Sequence, residues 1–475
     1  MQEYTTQELV RHYDALAPRR DEFRRKNRYY YDLLDKQYRY FIPEGKRILE
    51  IGCGTGDLVA VLKPSYGVGV DISPKMIAAA QEKYPLLQYP FLHFYTGSVQ
   101  EAVADEKFDY IILSGLLGEL QDVQAFLQTL RKYCTPDTRI IIEYYSYLWQ
   151  SLLKFTEGIG RKIPQGEQNW LTFSDIDNFL KLADFETVKQ ERSTLLPFNI
   201  WGVSYLVNKY LAKLPLLNAL TLDHFIVARP LFQADKEYSV TILVPCRNEK
   251  GNIEQAISRT PAFGTHQEFI FVEGHSQDGT YEEVERIIKV YPDKDIKLFK
   301  QQGKGKGDAV RLGFAQAQHD VLMILDADLT VAPEELPKFY QAIQSGKGEF
   351  INGCRLIYPM EQEAMRFLNL VANKFFGLFF SWLLGQRFKD TLCGTKVIFK
   401  RHYDDLAANR HYFGDFDPFG DFDLIFGAVK LNLKVLELPI RYKSRTYGST
   451  QIQRFRHGLL LLKMCVFAMK KIKFI

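Results

Sequence analysis

Cysteine is sparse in this chain of 475 residues: six stand at positions 53, 134, 246, 354, 393 and 465. None forms a C-x-x-C pair, which excludes a cysteine-ligated zinc centre and a disulfide framework and leaves reduced core thiols as their reading. Long apolar runs are missing too. The nearest, 367–385, is interrupted by Asn369, Asn373 and Lys374, and the closing stretch HGLLLLKMCVFAMKKIKFI is broken by Lys463. A bilayer-spanning helix is therefore not expected. An excess of one charge is also lacking: the formal net charge of +4 gives no ground for a nucleic-acid partner. There is no internal repeat and no low-complexity tract. The opening MQEYTTQELVRHYD mixes acids and bases unlike a secretory leader, so a cytoplasmic protein is expected.

What is present is an ordinary folding composition, 46% hydrophobic and 25% charged. The length suits two full hydrophobic cores. Strand-like apolar runs alternate with helix-like segments. RILEIG (47–52), YGVGVDI (66–72), FDYIILS (108–114) and TRIIIEYY (138–145) come first. SVTILVP (239–245), QEFIFVEG (267–274), DVLMILDAD (320–328) and GEFINGC (348–354) come later. This rhythm predicts βαβ units and mainly parallel sheets, an α/β fold class. The polar stretch LFQADKEYS (231–239) separates the two series, so two domains are expected, 1–234 and 235–475.

In the first half, ILEIGCGTG is a buried strand running into Gly52, Gly54 and Gly56. Glycines there allow a tight turn and let the backbone approach a ligand. Asp71 ends the next strand, where an acid can accept both hydroxyls of a ribose. A dinucleotide and S-adenosylmethionine both suit such a strand–loop–acid unit; the G-x-G-x-G spacing departs from the G-x-G-x-x-G of dinucleotide sites. With Glu50 two residues ahead of the first glycine, the string resembles the (E/D)-x-G-x-G-x-G motif of class I S-adenosylmethionine-dependent methyltransferases. The resemblance covers about residues 30–231, including FETVKQERSTLLP, the helix-like GVSYLVNKYLAKL and DHFIVARPL. It implies a Rossmann-like sheet with S-adenosylmethionine as cofactor. Gly52, Gly54 and Gly56 would cradle the methionine part, Asp71 would hold the ribose and Glu50 would assist near the amino group. Where the family often carries an acid near the adenine this chain has Ser98, whose backbone could cover the base. Glu119 and Glu143 are candidate bases for a hydroxyl acceptor.

In the second half, LMILDADLT (322–330) places Asp326 and Asp328 two positions apart where a buried strand surfaces. A strand has a side-chain period of two, so both are expected on one face with something positive between them. VPCRNEKGNI (244–253), VEGHSQDGT (272–280) and GKGKGDAVRLGFAQA (303–317) accompany the pair, each at a strand end or on the loop behind it. In order and wording these strings resemble family 2 glycosyltransferases of the GT-A fold, near the polyprenyl-phosphate glycosyltransferases, over residues 239 to about 455. The resemblance implies a nucleotide-sugar donor, an inverting transfer, and Mg²⁺ or Mn²⁺ held by Asp326 and Asp328. Hard carboxylate oxygens suit either ion. Pro245, Asn248, Glu249 and Glu273 would line the nucleotide pocket, with Lys306 and Arg355 on the donor side. The family's second acid in the VEGHSQDGT string is Gly274 here, which leaves the nucleotide open. By the same resemblance DTLCGTKVIFK would supply Asp390 and Lys396, Asp423 in GDFDLIFGAVK would stand beside the acceptor, and Arg445 in RTYGST would bind a phosphate. The family's next lysine is Gln451 here, so a glycan, a lipid phosphate and a protein all stay open as acceptor.

The stretches 366–386 and 455–475 join apolar residues to flanking cations such as Arg366, Arg387 and Lys389, and are expected as interfacial helices on an anionic membrane surface. The whole reads as a bifunctional, peripheral transferase of glycan or glycolipid synthesis. One rival is a polyprenyl-phosphate glycosyltransferase whose first half is a non-catalytic binding or scaffold module. An NAD-binding first half is disfavoured by the glycine spacing.

Overall fold

The computed structural model describes residues 6–165, 168–232, 236–358, 367–412, 420–443, 445, 447 and 454–474. The expected boundary near 235, Arg366, Gln451 and most of RTYGST lie outside these. The chain divides into two compact units, one up to Phe232 and one from Gln233.

The first unit is built on a seven-stranded sheet. Its strands are β1 (Arg47–Ile51), β2 (Tyr66–Asp71), β3 (Leu92–Thr96), β4 (Phe108–Ser114), β5 (Cys134–Tyr145), β6 (Phe185–Ser193) and β7 (Asp223–Pro230), in the order β3-β2-β1-β4-β5-β7-β6. All neighbours are parallel except β7, which runs against both β5 and β6. Helices cover both faces, so the central strands are apolar at successive positions instead of alternating. Leu49, Ile111 and Ile140 are fully buried on one side, Ile48, Ile112 and Ile141 on the other. Helix Arg28–Phe41 sets Tyr38 and Phe41 against the Phe225 ring at centroid distances of 5.4 and 5.6 Å. Burying a ring of that kind stabilises by roughly 1.5–3 kcal/mol. From β1 the chain moves outward to β2 and β3, then returns to place β4 on the other side. The loops after β1 and β4 therefore diverge and open a crevice at the carboxyl edge.

GVSYLVNKYLAKL does not form one helix. It breaks into Val203–Lys209 and the turn Leu211–Lys213, and a separate short helix, Pro215–Asn218, follows it. Pro215 has no N–H to continue a helical ladder. Asn208 is drawn inward, its Oδ1 accepting from Leu195 and Leu196 N–H at 2.8 and 2.9 Å.

The second unit has its own seven strands: β8 (Val240–Cys246), β9 (Gln267–Glu273), β10 (Asp295–Lys300), β11 (Val321–Ile324), β12 (Phe350–Cys354), β13 (Lys396–Phe399) and β14 (Val435–Pro439). The order is β10-β9-β8-β11-β13-β12-β14, with β13 antiparallel to β11 and β12. The switch point lies between β8 and β11, and the loops after both strands carry the residues singled out by sequence. Helix Phe367–Leu384 buries Phe380 against Phe422 and Phe426 while leaving Phe375 and Leu378 exposed. Helix Arg454–Ala468 closes the unit. Among the described residues no helix is long and apolar enough to cross a membrane.

One expectation is corrected here. The strand leading to Asp326 and Asp328 stops at Ile324. The next residues form a turn in which Leu329 N–H donates to the Asp326 carbonyl at 3.1 Å and Leu329 takes a φ of +51°. The carboxylates are brought together by this turn and not by strand alternation.

Candidate functional site

In the first unit, a cavity of about 940 Å³ opens at the carboxyl edge of the sheet. Gly52, Gly54, Asp71 and Ser98 all line it. Gly54 and Gly56 have φ of +53° and +75°, in the left-handed region that glycine adopts without strain. A Cβ on Gly56 would fall 2.5 Å from the Phe94 ring, so this turn packs tightly on β3. Asp71 fixes the loop: its two oxygens accept from Gly54 N–H at 2.8 Å and Ser73 N–H at 2.9 Å. Burial raises its pKa, against the pull of those two N–H groups and of Arg20. Ser98 caps helix Val99–Ala102, and its N–H donates to the Glu101 carboxylate at 3.2 Å. It presents the helix start to the cavity.

Glu50 and Gly56 are placed differently: both stand behind the loop, off the cavity wall. The Glu50 carboxylate is buried and accepts from Val59 N–H at 3.0 Å, bracing the helix that follows the glycines. Burial pushes its pKa up to about 8. A carboxyl whose pKa is raised binds its proton more tightly in the folded chain, so its stabilising share falls as pH climbs from the unfolded value toward about 8. Glu50→Gln keeps an acceptor for Val59 and removes that dependence. Thermal melts are expected to coincide near pH 4 and to favour the variant increasingly up to pH 8, by ~4 kcal/mol. Parallel melting curves at every pH would contradict this role.

The deep end of the cavity is polar. Glu143, at the end of β5, is buried, receives Ser114 Oγ at 3.2 Å, and leaves Oε1 without a hydrogen-bond partner among the described residues. Asp223 lies close by and accepts from Tyr30 Oη at 2.9 Å. Burial raises the pKa of both carboxyls, and the charge of Asp223 adds to the shift of Glu143. Glu119 also reaches the cavity and bonds Tyr13. Sequence reading missed the contribution of the first helices: Tyr13, Arg20, Tyr30 and Tyr31 all line the chamber. The available signal was a tyrosine- and arginine-rich helical stretch ahead of β1, which no motif marks.

In the second unit, Asp326 and Asp328 sit beyond β11 with a cation on each. Lys306, first residue of helix Lys306–Gln316, lies 2.6 Å from Asp326. Arg445 lies 2.5 Å from Asp328 and 3.5 Å from Glu249. Thr330 N–H and Oγ1 both donate to Asp328 Oδ1, at 3.1 and 2.8 Å, leaving Oδ2 to Arg445. Burial alone would lower the Lys306 pKa; Asp326 and Asp421 outweigh it and raise it. The same pairing holds the Asp326 carboxyl below the ordinary range despite its burial.

The loops after β8 and β9 are laced together. Asn248, with φ +55°, donates its N–H to Ser276 Oγ at 2.9 Å and accepts Gln277 N–H at 2.8 Å. Glu249 accepts from Asn252 at 2.8 Å, and burial pushes its pKa up to about 7. Glu273 is buried and turned onto Ser276 N–H at 2.5 Å. Pro245, next to last in β8, is paired with Val272 of β9. Arg355 is engaged by Asp390 through two parallel bonds of 2.7 and 2.8 Å.

Asp423 is not gathered with these groups; its Oδ2 accepts from Arg410 at 3.0 Å. The acid that does reach them is Asp421, 2.9 Å from Lys396 and 3.9 Å from Lys306. The GDFD string offers both acids, and where the helix Phe422–Lys430 begins decides which one turns inward.

Each unit is thus an α/β domain with polar loops gathered at a switch point of its sheet. Residues 21–190 match the model of the methyltransferase domain family, and residues 241–405 match that of glycosyl transferase family 2. Each unit thus matches one of these two family models over most of its length. The dolichol-phosphate mannosyltransferase of Pyrococcus furiosus is 37% identical over 237 residues, 47% of this chain and 64% of that protein. Glycosyltransferase AglJ of Haloferax volcanii is 29% identical over 224 residues, 46% of this chain and 68% of that protein. The chain spans about two thirds of the length of these relatives. Among solved structures, glucosyl-3-phosphoglycerate synthase from Mycobacterium tuberculosis superposes with a TM-score of 0.36 at 16% identity, over 50% of this chain and 80% of that one. Magnesium protoporphyrin IX methyltransferase from Synechocystis PCC 6803 gives a TM-score of 0.28 at 19% identity, over 39% of this chain and 74% of that one.

Proposed function

We propose that the second unit transfers a glycosyl group from a nucleotide sugar, and that the first transfers a methyl group from S-adenosylmethionine. The observation that carries the glycosyl reading is the Asp326–Asp328 turn with Lys306 and Arg445 already seated on it. Two carboxylates and two cations at one switch point suit a divalent cation together with a diphosphate. Asp326 and Asp328 would hold Mg²⁺ or Mn²⁺, which supplies charge neutralisation at the departing diphosphate. Lys306 and Arg445 then face phosphate oxygens, and the guanidinium fork suits that geometry. Transfer breaks the bond between the anomeric carbon and the diphosphate oxygen and forms one to the acceptor oxygen. A hydroxyl acceptor needs a base for its proton; a phosphate does not. With the Pyrococcus protein as relative, a polyprenyl phosphate is the first acceptor to try. A screen of nucleotide sugars with Mn²⁺, read as donor hydrolysis, tests the reading; no turnover of any donor would remove it.

Gly394 gives a local test. A Cβ there would overlap the Asp326 carboxylate and the Lys306 ammonium. Gly394→Ala is expected to lower donor hydrolysis about 10²-fold, a loss of ~3 kcal/mol, by displacing the pair. Affinity for S-adenosylmethionine in the other unit should stay unchanged. Undiminished hydrolysis would mean that the pairing is not part of the working site.

For the first unit the supporting observation is the Gly52–Gly56 loop clamped by Asp71 at the cavity wall. The sulfonium is already activated, so the protein supplies alignment. Glu143 faces the same chamber and is placed to take a proton from a hydroxyl acceptor. Titration calorimetry with S-adenosylmethionine tests this half. A cytoplasmic enzyme bound peripherally to a membrane fits both readings.

A further inference from the structure

The connection between β6 and β7 is unusual in what it leaves to solvent. Residues 197–222 read PFNIWGVSYLVNKYLAKLPLLNALTL, without a single acid. Trp201 is 99% exposed, Leu216 89% and Phe198 54%. Helix Gln150–Gly158 adds Phe155, 63% exposed, and Leu152. The two segments are joined, since Trp149 Nε1 donates to the Leu220 carbonyl at 2.9 Å. A folded chain seldom leaves an apolar surface of this size to water without a use for it.

This surface borders the cavity. Phe198 and Leu152 are exposed and line it, so they form part of its mouth. The exposed charged residues that line it are Lys26, Arg28 and Arg161, all cations. Lys26 and Arg28 each have an acid one turn along their own helix, Glu22 and Asp32. The acids lining the cavity, Asp71, Glu119 and Glu143, lie inside. The chamber therefore has a polar floor at Glu143 and an apolar, cation-dotted rim. Its volume of about 940 Å³ lies at the top of the range of roughly 300–1,000 Å³ for small-molecule sites, which leaves space beside one bound cofactor.

We infer that this rim rests on an anionic lipid surface and that the methyl acceptor is a membrane-borne amphiphile, entering with its polar group toward Glu143 and its apolar part along Phe198 and Leu152. The inference rests on the methyltransferase reading of the cavity. A bilayer fits the rim because tryptophan and tyrosine rings settle at headgroup level and lysine and arginine meet anionic headgroups. The acid-free segment 197–222 offers Trp201, Tyr205, Tyr210 and Lys209 for that contact.

The test uses the full chain and vesicles of phosphatidylglycerol and phosphatidylcholine with brominated acyl chains. The fluorescence share of Trp201, taken as the difference between the parent and Trp201→Phe, is expected to be quenched on vesicle addition. Reading one tryptophan separates this surface from any apolar helix of the second unit. Trp201→Asp combined with Leu216→Asp should leave affinity for S-adenosylmethionine unchanged. With a lipid extract of the source cells, label from methyl-labelled S-adenosylmethionine should reach the organic phase with the parent and fall at least tenfold with the double variant. An unquenched Trp201, label confined to water-soluble products, or a dimer of the chain that the double variant disrupts would each overturn the inference. Failure of the parent to bind S-adenosylmethionine would instead remove the reading beneath it, whatever the vesicles show.

Discussion

Asp328→Ala is expected to abolish nucleotide-sugar hydrolysis in Mn²⁺, lowering it about 10³-fold or more, a loss of ~4 kcal/mol. The reason lies in how the two oxygens of Asp328 are used. Oδ1 closes the turn through Thr330, and Oδ2 faces Arg445 at 2.5 Å. The outward oxygen is the one available to a cation. Asp328→Asn separates the two roles, because an amide can still accept from Thr330 but carries no charge. If charge is what matters, the Asn variant falls as far as the Ala variant while its thermal melt matches the parent. Parental hydrolysis by either variant would end the metal assignment. Recovery in the Asn variant alone would assign Asp328 to the turn.

Asp71→Ala should lower affinity for S-adenosylmethionine at least about 30-fold, the equivalent of one ~2 kcal/mol hydrogen bond to a charged group. The bonds from Gly54 and Ser73 N–H hold the loop in the shape that brings Gly52 and Gly54 to the cavity wall. On the proposed reading the substitution would remove a partner of the ligand as well as the form of the loop. Titration calorimetry on the full chain measures it, with donor hydrolysis by the second unit as control for folding. Equal affinity in parent and variant would remove Asp71 from the site. A parent that does not bind would favour a scaffold role for the first unit.

The alternation of strands and helices was legible in the sequence because central strands covered on both faces are apolar at every position. Two strands were not: the edge strand β10 is half-exposed along its length, and β13 is a four-residue strand set antiparallel between β11 and β12. Glycine loops and paired acids were legible as well, because few residue types permit those turns and charges. What each acid touches was not. Glu50 has the position of a cofactor residue in the motif, yet strand geometry points it behind the loop onto Val59. Asp423 and Asp421 are two positions apart, and Asp421 is the one that meets Lys396 and Lys306.

The sequence by itself determined two α/β domains and the chemistry of their loops, since apolar periodicity, glycine spacing and local charge are properties of neighbouring residues. Only the tertiary structure decided which side chains share a cavity. Arg445 reaches Asp328 across 117 positions, and Tyr30 reaches Asp223 across 193. Such contacts arise from the order in which strands are laid side by side, and no local pattern encodes that order.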